Sequence, residues 1–169
     1  TALSVPTRLP TVNKRRLMRD LNAIGRIGIG DRGSVTRLVF SIKELRSRQL
    51  LLHLMRQAGL KIHIDGIGNI FGRLESSDCK EPAVLAGSHL DTVIHGGKYD
   101  GPVGVIGALE AIRTISENGI SVRAPLEVGT RRVDIAYVNP AALVTMAYRG
   151  KGYYKQKMQL RVLGCFPSW

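Results

Sequence analysis

The stretch Gly87-Ser88-His89-Leu90-Asp91-Thr92-Val93-Ile94-His95-Gly96-Gly97-Lys98-Tyr99-Asp100-Gly101 lies between an apolar run, Ala83 to Ala86, and a helical pattern opening at Pro102. The short apolar run suits a buried strand, and proline is well placed at a first helical position. Strand, polar loop and helix in that order predict an α/β layer, with the loop at the C-terminal end of a strand, where open α/β sheets place ligands. His89 and Asp91 alternate with Leu90, so both share a face if the strand continues. A carboxylate two residues from a histidine can accept its second ring N–H and fix the tautomer, as metal sites commonly require. Asp100 follows on a glycine-rich loop just ahead of Pro102, where a carboxylate can bridge two cations and the helix N-terminus steadies its charge. Two divalent metals sharing a carboxylate activate water near neutral pH, and imidazole with carboxylate suits Zn2+ or Mn2+. Spacing alone is a weak signal: a histidine after a strand is more often a structural residue, and Asp-Gly is more often a turn.

Upstream, Asn13 is placed to cap a helix running to about Ile24, with Leu17, Leu21 and Ile24 on one face. Gly25, Gly28, Gly30 and Gly33 mark a loop; with no strand before them and no helix directly behind, they form no dinucleotide fingerprint. Ser41 to Glu44 reads as a capping box before a second helix, with Leu45, Leu52 and Met55 as its buried stripe and Gly59 as its stop. Lys61 to Ile64 and Asn69 to Leu74 alternate polar and apolar around Asp65-Gly66-Ile67-Gly68, which predicts a hairpin. The helix from Pro102 runs to about Glu117 and ends at Asn118-Gly119, and a strand begins at Leu126. Lys14, Arg15, Arg16 and Arg19 read as a solvated helix face. His53, His63 and His95 read as structural or exposed residues, and Cys79 as a surface thiol in a polar loop.

The chain has 169 residues, 44% of them hydrophobic, enough for one globular domain. Its net charge of +12 invites an anionic partner, but only 5% of residues are aromatic, thin for base stacking, so no specific nucleic acid is expected. Two distant cysteines, Cys79 and Cys165, exclude a disulfide scaffold and point to a reducing, cytoplasmic setting. No uncharged stretch reaches the roughly 18 residues of a membrane span, and no secretory pattern opens the chain, so no membrane is expected. Beginning at Thr1, the chain is expected to be processed or incomplete. Residues 129–169 hold seven basic residues and a single acid, Asp134, so composition shifts near Val128 and a boundary is placed there, dividing 1–128 from 129–169.

Residues 13 to about 128 resemble the N-terminal part of the M20-type metallohydrolases, closest to the branch of N-carbamoyl-L-amino-acid hydrolases, allantoate amidohydrolases and β-ureidopropionases. The resemblance rests on Ser34 to Ser41, Met55 to Leu60, Asp65 to Leu74 and Gly87 to Gly104, in that order. The eight residues between Asp91 and Asp100 match this branch, where aminoacylase-like and dipeptidase-like members have a longer insertion. It implies an α/β fold, the N-terminal part of a zinc-exopeptidase-like metallohydrolase domain, incomplete here and followed by a C-terminal tail that does not match. It also implies His89 as a ligand of one metal, Asp91 as the catalytic residue orienting it, and Asp100 as the bridge between two metals, Zn2+ or Mn2+. The implied reaction is hydrolysis of a linear C–N bond in a small ureido, carbamoyl or amidine substrate, with a glutamate as general base. The resemblance further implies dimerisation through a lid domain, which is expected to be absent from these residues.

At Gly129 the resemblance stops. The family continues to a paired-glutamate motif ending in glycine; this chain reads Gly129-Thr130-Arg131-Arg132-Val133-Asp134, and no glutamate or histidine follows Glu127. The expectation is a truncated or out-of-frame tail, an inactive copy of the enzyme, and a chain prone to aggregate. A catalytically dead interaction protein and a basic nucleic-acid-binding module are the alternatives.

Overall fold

Helix boundaries follow local capping chemistry. Asn13 accepts the Arg16 N–H on Oδ1 at 3.0 Å and opens α1, Lys14–Arg26. A 3-10 turn, Asp31–Gly33, follows. Ser41 accepts the Glu44 N–H on Oγ at 3.2 Å and opens α2, Ile42–Gln57. The remaining elements are β1, Lys61–Ile64; β2, Ile70–Leu74; β3, Ala83–His89; α3, Pro102–Glu117; β4, Leu126–Arg131; and the two-residue β5, Val162–Leu163. The computed structural model describes residues 10–76 and 82–131 and the backbone of 162–163. Cys79, Asp134, Cys165 and most of the expected tail lie outside the described residues. Val128, where composition changes, falls inside β4.

The sheet has the order β1-β2-β4-β3-β5. β1 and β2 form the expected hairpin, Lys61 opposite Arg73 and Ile64 opposite Ile70. Asp65 closes its loop by accepting N–H groups from Ile67 and Asn69 on Oδ1, at 3.1 and 2.8 Å. β2 runs antiparallel to β4, and β4 runs parallel to β3 with Gly87 opposite Gly129 and His89 opposite Arg131. The three helices share one face of this sheet: Ile24, Leu51, Met55, Val105, Ile106 and Leu109 form one buried cluster with Ile70 and Val128. Fully burying an aliphatic side chain of this size contributes roughly 1.5–3 kcal/mol, so this cluster is what holds helices to sheet.

Three local expectations are corrected. Leu45 is 44% exposed and Leu52 half-buried; the buried face of α2 carries Glu44, Ser47, Arg48, Leu51, Leu54 and Met55. Arg48 spans the gap, donating to Glu44 at 3.4 Å and to the Gly68 carbonyl, and that pairing lets charged residues occupy a core-facing stripe. The capping box is one-sided, since the Ser41 N–H donates to the Leu38 carbonyl. Arg16 is no solvated residue either: it pairs with Glu110 at 2.7 Å and with Glu117, joining α1 to α3. Beside it Arg113, buried, pairs with buried Asp20 at 2.7 Å and donates to the Leu54 carbonyl.

Candidate active site

The sheet delivers His89 at the end of β3; Gly87 lets β4 pair closely there, and Gly101 and Gly104 let α3 close on it. A Cβ at Gly87 would fall on the Gly129 carbonyl of β4. One at Gly104 would stand 2.7 Å from the Ser88 Cβ and 3.0 Å from the Gly87 carbonyl oxygen. At Gly101, whose φ is +85°, it would come within 2.6 Å of both Cε1 and Nδ1 of His89. Gly101 is also the N-cap of α3. The imidazole therefore lies against the start of the helix, one residue from Asp100.

β3 stops at His89, so Asp91 does not share its face by strand alternation; it arrives through the backbone. Nδ1 of His89 is 3.0 Å from the Asp91 carbonyl oxygen and 3.6 Å from its Oδ1. A carbonyl only accepts, so this bond puts the proton on Nδ1 and leaves Nε2 with its lone pair. Asp100 sits exposed in the turn before Gly101. The first N–H groups of α3 go to carbonyls, Val103 to Tyr99 and Gly104 to Gly101, and among the described residues none reaches the Asp100 carboxylate. Nor does any group of three or more His, Cys, Asp and Glu side chains converge among the described residues.

The loop between His89 and Asp100 is stitched to the segment 34–37. Val35 and Gly96 exchange both backbone hydrogen bonds, at 2.9 and 2.8 Å. Thr92 donates its N–H to the Arg37 carbonyl at 2.9 Å and accepts the Arg37 N–H on Oγ1 at 2.8 Å. His95 is exposed with φ +55°; its N–H donates to Thr36 Oγ1, and its Nδ1 lies 3.3 Å from Ser34 Oγ. Lys98 extends along α1, with Nζ donating to Asn22 at 2.7 Å. Sequence reasoning missed Arg37, which is fully buried. Its guanidinium donates to the carbonyls of Leu90 at 2.6 Å, Ile24 at 3.0 Å and Ile27 at 2.6 Å. Burial pushes this guanidinium below its ordinary value, while the charges of Asp91 and Glu44 pull it back up. Its signal in the sequence was only its place in the Ser34 to Ser41 stretch.

No family model matches the chain. It is 40% identical over 117 residues to an N-carbamoyl-L-amino acid amidohydrolase of Geobacillus stearothermophilus, covering 69% of this chain and 29% of the relative. It is 42% identical over 117 residues to a ureidoglycolate hydrolase of Oryza sativa subsp. japonica, covering 69% and 24%. A hydantoinase/carbamoylase family amidase from Burkholderia ambifaria superposes with a TM-score of 0.70 at 39% identity, over 73% of this chain and 30% of that one. The chain thus spans less than a third of the length of each of these proteins. Among the described residues no helix is long and apolar enough to cross a membrane.

Proposed function

The chain belongs to the hydantoinase/carbamoylase family of M20-type metallohydrolases, and from that premise we propose that it carries one half of an amidohydrolase centre for small ureido or carbamoyl substrates. The observation that supports this is the contact of His89 Nδ1 with the Asp91 carbonyl, which in the neutral ring leaves Nε2 as the nitrogen able to ligate, while Nδ1 and Cε1 pack against the Gly101 turn that follows Asp100. The donor types fit a divalent Zn2+ or Mn2+, and the tie on the second ring nitrogen is what ligating histidines show. His89 and Asp100 would hold such a cation, and Asp91 would orient His89. When bound, the cation would supply Lewis acidity, polarising the carbonyl or amidine group of the substrate and acidifying water.

Two protein ligands fall short of the three a catalytic zinc normally keeps. The 169 residues supply no glutamate base after Glu127. In our reading the chain alone is therefore inactive, residues 1–128 form the catalytic part and 129–169 a basic tail outside the family pattern, in a cytoplasmic setting. Dimerisation through a lid domain belongs, on this reading, to the longer relatives.

The test is twofold. With added Zn2+ or Mn2+, the chain is expected to leave N-carbamoyl amino acids, allantoate and ureidopropionate unhydrolysed above background. Turnover that His89→Ala abolishes would overturn the inactivity. Zinc titration is expected to show weak binding that His89→Ala removes; tight binding indifferent to His89→Ala would overturn the ligand assignment. For the tail, the other two reading frames of the coding DNA after codon 128 are expected to contain a Glu-Glu-Gly motif in one of them; its absence from both removes the out-of-frame origin.

A further inference from the structure

Arg37 stands where three segments meet. Among the described residues it forms no ion pair, and its side-chain hydrogen bonds all go to backbone carbonyls. Ile24 and Ile27 lie at the C-terminal end of α1, where the last carbonyls favour a cation. Leu90 is the residue between His89 and Asp91, itself 2% exposed. Nε meets its carbonyl at 2.6 Å. Guanidinium is a rigid planar fork, so a bond on Nε and two on Nη1 leave it little freedom to rotate. The backbone of Arg37 is fixed as well, by the reciprocal pair with Thr92 one residue beyond Asp91. The Leu90–Asp91 peptide is thus held at its carbonyl and the Asp91–Thr92 peptide at its N–H, and with them the direction in which Asp91 presents its carbonyl.

We propose that Arg37 is the positioning residue of this site: through the Leu90 carbonyl it holds the Asp91 carbonyl on Nδ1 of His89 and so keeps Nε2 as the free ring nitrogen. Only the consequence for metal rests on the reading of His89 as a ligand; the effect on the ring does not.

The experiment uses the full chain labelled with 15N in histidine, long-range proton–nitrogen correlation at a pH where the imidazole is neutral, and Zn2+ titration of the same samples. In the wild type, His89 is expected to carry its proton on Nδ1. In Arg37→Lys, which keeps the charge but loses the fork, the ring is expected to move toward the Nε2–H form, and zinc affinity to fall about 10–100-fold. A folded Arg37→Lys chain with the wild-type tautomer overturns the proposal even if it melts earlier, since Arg37 would then only stabilise the fold. A wild-type ring protonated on Nε2 overturns it as well. A tautomer that shifts while zinc binding ignores both Arg37→Lys and His89→Ala supports the positioning role and sinks the ligand assignment instead. Where Arg37→Lys does not fold, Thr92→Val removes the hydroxyl that accepts the Arg37 N–H and donates to the Val35 and Val93 carbonyls, and so loosens the backbone that carries the Arg37 fork. An unchanged ring in that variant overturns the proposal, and a shifted one supports it.

Discussion

Helix α3 is held on two sides by opposite means. Against α1 it is held by charge: Arg16 with Glu110 and Glu117, and Arg113 with Asp20. Against the end of β3 it is held by the absence of side chains at Gly101 and Gly104, as β3 is held against β4 by their absence at Gly87. Ion pairs are directional but exchangeable, because a buried pair can be traded for apolar groups of similar volume at little cost. A glycine contact with backbone has no substitute. The side of α3 that faces His89 is the one that tolerates no change, and the side remote from it is the adaptable one.

The sharpest challenge to this contrast is Gly87→Ala. Its methyl has only the Gly129 carbonyl to meet, so the β3–β4 pairing must open; we expect a loss of about 3–4 kcal/mol, above the usual cost of overpacking, read as a lower urea midpoint or loss of soluble chain. Asp20→Ala leaves the buried Arg113 with only the Leu54 carbonyl and a 3.7 Å pairing to Glu110 and is expected to cost about 3 kcal/mol. If Gly87→Ala proves the milder of the two, the contrast is reversed. Gly101→Ala combines φ +85° with the His89 contact; about 2 kcal/mol is expected, with the His89 ring resonances displaced more than those of His53. The double replacement Asp20→Leu with Arg113→Met should be within about 1 kcal/mol of the wild type. A large loss there would mean the ions are as irreplaceable as the glycines.

The smallest effect concerns acid. The Arg16 hydrogen bond holds the Glu117 carboxyl below its ordinary value of 4.5. A depressed carboxyl contributes stability that is present above its unfolded value and is lost as pH falls through the folded one. Glu117 is half exposed, so solvent screening keeps the contribution within about 1 kcal/mol. Glu117→Gln is expected to lower stability at neutral pH by no more than about 1 kcal/mol, to flatten the fall below pH 4.5 slightly, and to change nothing once the carboxyl is protonated in both states. An unchanged acid limb would assign all of that fall to other carboxylates.

How far the sequence could be read depended on the kind of interaction. α1 and α3 were legible to within a residue or two because Asn13, Pro102 and Asn118-Gly119 are local signals whose chemistry is complete in a few residues. The face of α2 was not, because a stripe containing Glu44 and Arg48 turns inward only when the Gly68 carbonyl is brought to it from 20 residues away. The last three residues of β3 have little strand propensity; Gly129, Thr130 and Arg131 make them a strand. For the site, the motif brought out His89, Asp91 and Asp100 as a set. The route from Asp91 to the ring spans only two residues but depends on β3 ending at His89, and the hold of Arg37 on Leu90 joins segments more than 50 residues apart, which no local pattern carries.

The place of β4 in the sheet has a consequence for how the molecule is made. It is the strand that joins the β1–β2 hairpin to β3, yet it comes last of the four, with Leu74 of β2 pairing Leu126 of β4. A hairpin forms in roughly 1–10 μs, whereas translation at about 5–20 residues per second takes roughly 3–10 s to cross from Leu74 to Leu126. In the course of that interval the growing polypeptide comes to present first the edge of β2, then that of β3 and the apolar side of α3, with β4 not yet there to close them. Chaperone demand, and the yield of soluble product, should therefore be decided during synthesis by the seconds before Leu126 emerges.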